Sequence, residues 1–312
     1  MAIFSTETAK MLMPRTVADG LIKDTINTST VAQLSGREPM KFGNVDYIVF
    51  NDFPRAEFVT QGAEKSATTG GFTSVTATPK KAQVTMRFNQ EVQWADEDHQ
   101  LNIISQLAEA GSVALSRALD LGLYHRINPL TGTEITAWDN YVGATEYTAE
   151  LSESVEADQV VRAAAGLLIN RDRPVSVNGF AIDPRLTWEL SNLQTKNADG
   201  SPSGTQRYPN LGLGAGISSF LGINTAQGDT VSGRPEATTD TGVRGILGDF
   251  TNGIRWGVQR EFPVEKIMYG DPDGQGDLSR HNQIALRLEI VYGWYVFADR
   301  FAMVKTAKTA GE

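Results

Sequence analysis

The chain has 312 residues, of which 40% are hydrophobic and 21% charged, a globular balance that excludes wholesale disorder and leaves room for a sizeable core. It has no cysteine, which excludes disulfides and thiolate metal sites. A formal net charge of −9 and a pI near 5.0 exclude tight nucleic-acid binding as the main task.

No run of eighteen apolar residues is present, so no transmembrane helix is expected. The opening MAIFSTETAKMLMPRTVADG lacks a basic stretch followed by an apolar block, so it does not read as a signal peptide. Residues 1–44 read as a weakly patterned arm, with a short amphipathic helix around Pro14–Ile26. Residues 45–92 hold two extended runs, VDYIVFNDFPRAEFVT and FTSVTATPKKAQVTMRF, around the polar tip GAEKSATTGG. Val84, Met86 and Phe88 alternate with polar neighbours, and this period of two fades toward the tip. The base is therefore expected to join a sheet while the tip, with Lys65, projects.

Residues 94–128 carry the strongest helical pattern. Asp96, Glu97 and Asp98 favour its first turn, Leu101, Ile104, Leu107, Gly111, Ala114, Ala118 and Leu121 recur every three or four residues, and Asn128-Pro129 ends it. About 33 residues rising ~1.5 Å each give roughly 50 Å, long for a globular domain. Ala110, Gly111, Ala114 and Ala118 leave a stripe of small side chains for a close neighbour. Further on, 130–155 reads as irregular, Val155–Asn170 as a shorter helix and 171–184 as a strand. A helix follows from Pro184 with Asp183 as its N-cap, then a polar loop over 195–210. From 243 the chain is strand-like, closing on one long strand over 284–304.

Candidates for chemistry are few. His99, His125 and His281 lack an HExxH spacing, so a zinc site is not expected, and packing or surface roles are favoured for the first two. Gly212-Leu213-Gly214-Ala215-Gly216 lacks the spacing of a dinucleotide loop, and GSPSG (200–204) has proline where a nucleophile elbow needs serine. In DPDGQGDLSRHN, Asp271, Asp273 and Asp277 occupy donor positions of a calcium loop, with Gly276 at the sharp turn. Asn282 replaces the closing glutamate, and an acidic surface turn is the competing reading. Lys65 reads either as a solvated loop lysine or as an interchain group. A nucleophilic role would need burial that its own segment does not supply.

The order of parts resembles the HK97-like major capsid proteins of tailed double-stranded DNA bacteriophages, most closely those of actinobacterial siphophages. The resemblance rests on QEVQWADEDHQLNIISQLAEAGSVALSRALD (90–120), AIDPRLTWELSNLQTKNADGSP (181–202), SFLGINTAQGDTVSG (219–233), GDFTNGIRWGV (248–258) and the closing IALRLEIVYGWYVFADRFAMV (284–304). It implies an α+β fold with an N-terminal arm (1–44), an extended two-stranded E-loop (45–92), a peripheral P-domain with a spine helix (93–150), an axial A-domain (151–266), and return strands of the P-domain with the C-terminus (267–312).

As function, the resemblance implies a non-enzymatic shell protein that self-assembles into hexamers and pentamers around phage DNA, in the virion and built in the bacterial cytoplasm. Neither cofactor nor membrane is implied. Implied partners are further copies of the chain, a scaffolding protein, a portal and decoration proteins, with double-stranded DNA enclosed without sequence-specific binding. Some relatives carry a cleaved scaffolding domain of about a hundred residues before the E-loop. The 44 residues here imply a separate scaffold or an already trimmed chain. Glu64, Lys65, Arg55 and Phe72 are the implied intersubunit contacts. The crosslink known in some relatives would map to Lys65, Asn282 and Glu289, in a poor register. An encapsulin shell shares the same fold. A calcium-dependent secreted binding protein or hydrolase would rest on the acidic loop alone.

Overall fold

The computed structural model describes residues 29–50, 56–67, 71–92, 103–152, 154–197, 199, 201–211, 217–262 and 264–307. The amphipathic helix expected around Pro14–Ile26 and the acidic start of the long helix lie outside the described residues. So does the glycine run 212–216.

A five-residue helix, α1 (Thr30–Leu34), is followed by β1 (Val45–Phe50) and the 18-residue strand β2 (Phe72–Asn89). The register divides β2 in two. Phe72–Ala77 pair with β1, whereas Thr78–Asn89 pair with β12 (Gln283–Val296). The outer half is thus a two-stranded ribbon, and the inner half belongs to a larger sheet. That sheet is completed by β10 (Ile254–Glu261) and the short β11 (Glu265–Ile267) on the far side of β12.

One face of this first sheet lies under α2, which runs Ile103–His125 among the described residues. The side-chain alternation decides which face. Val84 and Met86 of β2, with Leu286, Leu288, Tyr292 and Trp294 of β12, meet Leu115 and Leu119 of the helix in one core. Small residues set how closely the two can approach. A Cβ added at Gly111 would lie 3.0 Å from Leu288 and 3.3 Å from Met86, and one at Gly122 would lie 3.0 Å from the Trp294 ring.

The second sheet has the order β3 (Thr148–Leu151), β13 (Phe301–Thr306), β9 (Val243–Gly248), β4 (Gly179–Ile182), β8 (Ile223–Gln227) and β7 (Ser219–Phe220). All six residues of β9 are buried, as befits a strand covered on both faces. Against it pack α3 (Ala157–Ile169), through Val160, Val161, Ala164 and Leu168, and α4 (Pro184–Ser191), through Leu186 and Leu190. The expected cap is present: the Asp183 carboxylate accepts the Arg185 N–H at 2.8 Å. The polar stretch read as a loop over 195–210 instead contains an exposed two-stranded ribbon, β5 (Gln194–Lys196) with β6 (Pro202–Gln206). The strand expected over 171–184 shrinks to β4.

The closing run 284–304 is two strands, not one. β12 ends at Val296, a tight turn follows at Ala298–Arg300, and β13 then enters the other sheet. The turn is held by Phe297 N–H donating to Gly253 O at 2.8 Å and by Arg300 N–H donating to Phe297 O at 3.0 Å. Apolar runs flank this break on both sides because both strands are buried, and only the pair Asp299-Arg300 marks the turn between them. A second crossing runs beside it. β9 passes through Asp249 and the one-turn helix α5 (Phe250–Gly253) into β10, and Phe250 meets Phe301 edge-on at 5.2 Å. Strand pairing therefore places 254–261 with the first sheet and 301–306 with the second, exchanging both relative to the sequence division at 151–266 and 267–312.

Candidate assembly surfaces

The arm begins as an ordered ribbon. At its tip the Glu57 carboxylate accepts the Ser66 N–H at 2.7 Å and also the Ser66 hydroxyl, drawing 57 and 66 together. These bonds hold the Glu57 carboxyl below its usual pKa. Thr60 O accepts Ala63 N–H, and Gly62 takes a positive φ of 85° in the turn. Glu64 and Lys65 are both exposed there. Arg55 lies outside the described residues.

Apolar side chains of the arm face outward. Phe58 is fully exposed, Phe72 is 71% exposed and Ile48 69%. Ile48 and Phe72 belong to one face, because Ile48 pairs with Ser74 and Phe50 with Phe72. Among the described residues nothing covers these side chains, an exposure unusual for rings of this size.

The structure does not bring the three crosslink candidates together. Asn282 precedes β12 in a left-handed conformation and donates through Nδ2 to Glu91 at 2.9 Å. Glu289 lies seven residues further on and pairs with Lys81 at 2.8 Å. At ~3.3 Å per residue, the strand from Asn89, opposite Gln283, to Phe72 spans roughly 55 Å. Lys65 lies beyond that end, so within one chain it cannot reach either residue.

The acidic loop turns inward on an arginine. Arg87 of β2 holds Asp273 through Nε at 2.9 Å and through a second guanidinium nitrogen, and reaches Asp271 at 3.4 Å and Gly276 O at 2.8 Å. The Arg87 bonds hold the Asp273 carboxyl low. Asp277 instead accepts Ser279 Oγ at 2.6 Å and Arg280 N–H at 3.1 Å. Among the described residues, no group of three or more potential ligands is placed to hold a metal ion.

Two buried groups were missed from the sequence. Asp120 on α2 is fully buried and accepts hydrogen bonds from Ser29 Oγ, Thr30 N and Oγ1, Val31 N and Thr230 Oγ1. Burial pushes its carboxyl upward in pKa, against the pull of those donors. Its signal was an aspartate flanked by Leu119 and Leu121 in an apolar stretch, together with the Ser29-Thr30 pair before a short apolar run. Lys80 lies above the rings of Trp294 and Trp138, donates only to Thr78 among the described residues, and is lowered by burial to a pKa of about 8. Its signal was a Lys80-Lys81 pair, where the alternation sends the first side chain inward. His125, by contrast, takes the packing role expected: it is buried, with Nε2 2.8 Å from Val231 O.

Comparisons with known proteins agree with this architecture. A family model described as the phage capsid family matches residues 9–302. A chain from a solved structure of Mycobacterium phage Ogopogo is 40% identical, with 90% of this chain and 92% of that chain covered and a TM-score of 0.80. One from Gordonia phage Cozz is 28% identical, with coverage of 90% and 87% and a TM-score of 0.77. A third, described as the capsid of a native GTA particle computed with C5 symmetry, is 16% identical over 91% and 90%, and its TM-score of 0.58 shows a shared fold alone. No curated protein sequence matches. The ribbon arm, the long helix across its root and the strand-exchanged second sheet are thus those of the HK97-like fold, and the chain belongs to the phage capsid family as a capsid shell protein.

Proposed function

We propose that copies of this chain join as hexamers and pentamers into an icosahedral shell, each arm lying on a neighbouring subunit. In this reading 45–92 is the E-loop, α2 with the first sheet the P-domain, and the second sheet with α3 and α4 the A-domain. The observation that carries it is the outward-facing Ile48, Phe58 and Phe72, which have no cover among the described residues. Glu64, Lys65 and, by position, Arg55 add polar contacts around that apolar stripe. The fivefold symmetry described for the related particle capsid supports pentamers. The net charge of −9 suits a wall that encloses DNA without gripping it.

The arm contacts are non-covalent in this reading, since Glu289 is engaged by Lys81 and Asn282 by Glu91. A separate scaffolding protein, a portal and decoration proteins complete the assembly, which takes place in the bacterial cytoplasm. Electron microscopy of the chain expressed with its scaffold tests the proposal. Wild type is expected to give closed shells, and Phe58→Ser with Phe72→Ser to give free subunits that melt at the wild-type temperature. Shells from the double variant would remove the arm's role, and a wild-type chain that stays monomeric would remove the proposal. Denaturing gels of purified shells are expected to show a single band near 33.9 kDa.

A further inference from the structure

Residues 29–38 run from Asp120 of α2, beside β4 and β8 of the second sheet, to Trp256 of β10 in the first. At one end, Ser29, Thr30 and Val31 converge on the buried carboxylate of Asp120, and the Thr30 hydroxyl also lies 3.0 Å from Tyr124 Oη. Val31 is fully buried and shares a core with Ala181 of β4 and Val231. At the other end, Ser35 Oγ accepts the indole N–H of Trp256 at 2.9 Å, and Glu38 N–H donates to Trp256 O at 2.9 Å. Glu38 pairs with Arg255, and Arg37 with Glu261 at 2.7 Å. Glycine stands at each crossing: a Cβ at Gly228 would lie 2.5 Å from Thr30 Cγ2, and one at Gly257 would lie 2.2 Å from Glu38 O.

The two ends differ in kind. Around Trp256 one buried bond, from the indole N–H to Ser35, is joined by backbone pairing and by ion pairs between partly exposed side chains, where solvent supplies alternatives. At Asp120 the carboxylate has no solvent to turn to, and its five donors come from two segments 90 and 110 residues away. The same Thr230 that completes its shell sits in the turn Asp229–Ser232, which α2 also grips through Arg117, bound to Asp229 at 2.7 Å and to Glu236. Occupation of Asp120 by Ser29 and Thr30 therefore fixes, at one point, where Ser29 and Thr30 sit and how the helix meets the second sheet.

We propose that residues 29–38 form a detachable strap, pinned by Asp120, that couples the N-terminal segment of the chain to the junction between α2 and the turn Asp229–Ser232. Tension or a binding partner acting on residues before Ser29 would first withdraw Ser29 and Thr30 from Asp120, leaving Val31 N and Thr230 Oγ1 as its remaining donors, and so loosen that junction without unfolding either sheet. The inference concerns the single subunit and stands apart from the shell reading.

Hydrogen–deuterium exchange on the full-length subunit tests it with two variants, one on each side of the pin. Asp120→Asn removes the charge, and Ser29→Ala with Thr30→Val removes the two hydroxyl donors of the strap, leaving its backbone donors. Each is expected to speed exchange at 30–38 by about tenfold or more. Exchange at 229–232 is expected to rise with it, while amides of β12 and β9 keep wild-type protection. The reverse result would overturn the proposal: unchanged exchange at 30–38 in the strap variant, or a rise that β12 and β9 share equally. If Asp120→Asn fails to fold, the strap variant decides alone. Release at 30–38 without any change at 229–232 would also overturn the coupling.

Discussion

Lys80 Nζ lies 4.3 Å from the centroid of the Trp294 ring, at the point where the arm stops being a ribbon and becomes part of the sheet. Among the described residues no carboxylate compensates it, so its charge is held by two aromatic faces and Thr78. Burial lowers its pKa to about 8, whereas the unfolded chain keeps the ordinary value near 10.5. The folded state thus binds the proton less well, and stability rises with pH between those two values. Lys80→Met is expected to stabilise the unassembled subunit at pH 7 by about 1 kcal/mol, after allowance for residual solvent screening. That gain should shrink from pH 8 to 10. Urea denaturation at both pH values measures it, and a loss of stability at pH 7 would show that the rings hold the charge more strongly than burial opposes it.

His125 gives the opposite end of the pH range. Burial lowers its pKa to about 4 from 6.5, so the fold favours the neutral ring that donates to Val231 O. A base with a depressed folded pKa stabilises above its unfolded value, and that contribution is lost as pH falls from about 6.5 to 4. The difference amounts to about 3 kcal/mol. His125→Gln is expected to be less stable than wild type at pH 7, with a flatter decline to pH 4.5. Equal slopes for the two proteins would assign the acid sensitivity elsewhere.

The small residues of α2 separate two kinds of close contact. Gly111 faces the flexible ends of Leu288 and Met86, and alanine gains about 1 kcal/mol of helix propensity there. Gly111→Ala is therefore expected to be neutral within about 1 kcal/mol. Gly122 faces the rigid rings of Trp294 and Trp138, at 3.0 and 3.3 Å. Gly122→Val should destabilise by about 1–3 kcal/mol, because neither indole can retreat. Thermal melts of the two variants side by side provide the comparison.

Arg87 organises the acidic loop, so its removal should be felt locally. Arg87→Met is expected to cost about 1–2 kcal/mol and to open the loop to trypsin at Arg280 before the rest of the subunit. Millimolar calcium should leave the wild-type denaturation midpoint unchanged. A rise in that midpoint would restore Asp271, Asp273 and Asp277 as ligands.

Much of this was legible where a local pattern had a local cause. Val84, Met86 and Phe88 announced the root of the arm, the recurrence of leucines announced α2, and Asp183-Pro184 marked a helix start that the structure reproduces. What stayed hidden depends on segments far apart in the chain. Asp120 looks like one more helical acid until Thr30 and Thr230 arrive from 90 and 110 residues away. Lys80 looks solvated until Trp138 and Trp294 close over it. The break at Ala298–Arg300 was marked only by Asp299-Arg300 between two buried strands, and apolar runs carry no mark of which sheet they serve.

The place of β13 sets a condition on how the subunit is made. Phe301–Thr306 lie between the edge strand β3 and β9 in the second sheet, with Phe301 and Ala302 fully buried. Every other strand of that sheet comes earlier in the chain, so the facing edges of β3 and β9 have no partner until Phe301–Thr306 enter between them. Closure of the second sheet is therefore a long-range step whose slowness falls on one strand and not on the sheet as a whole.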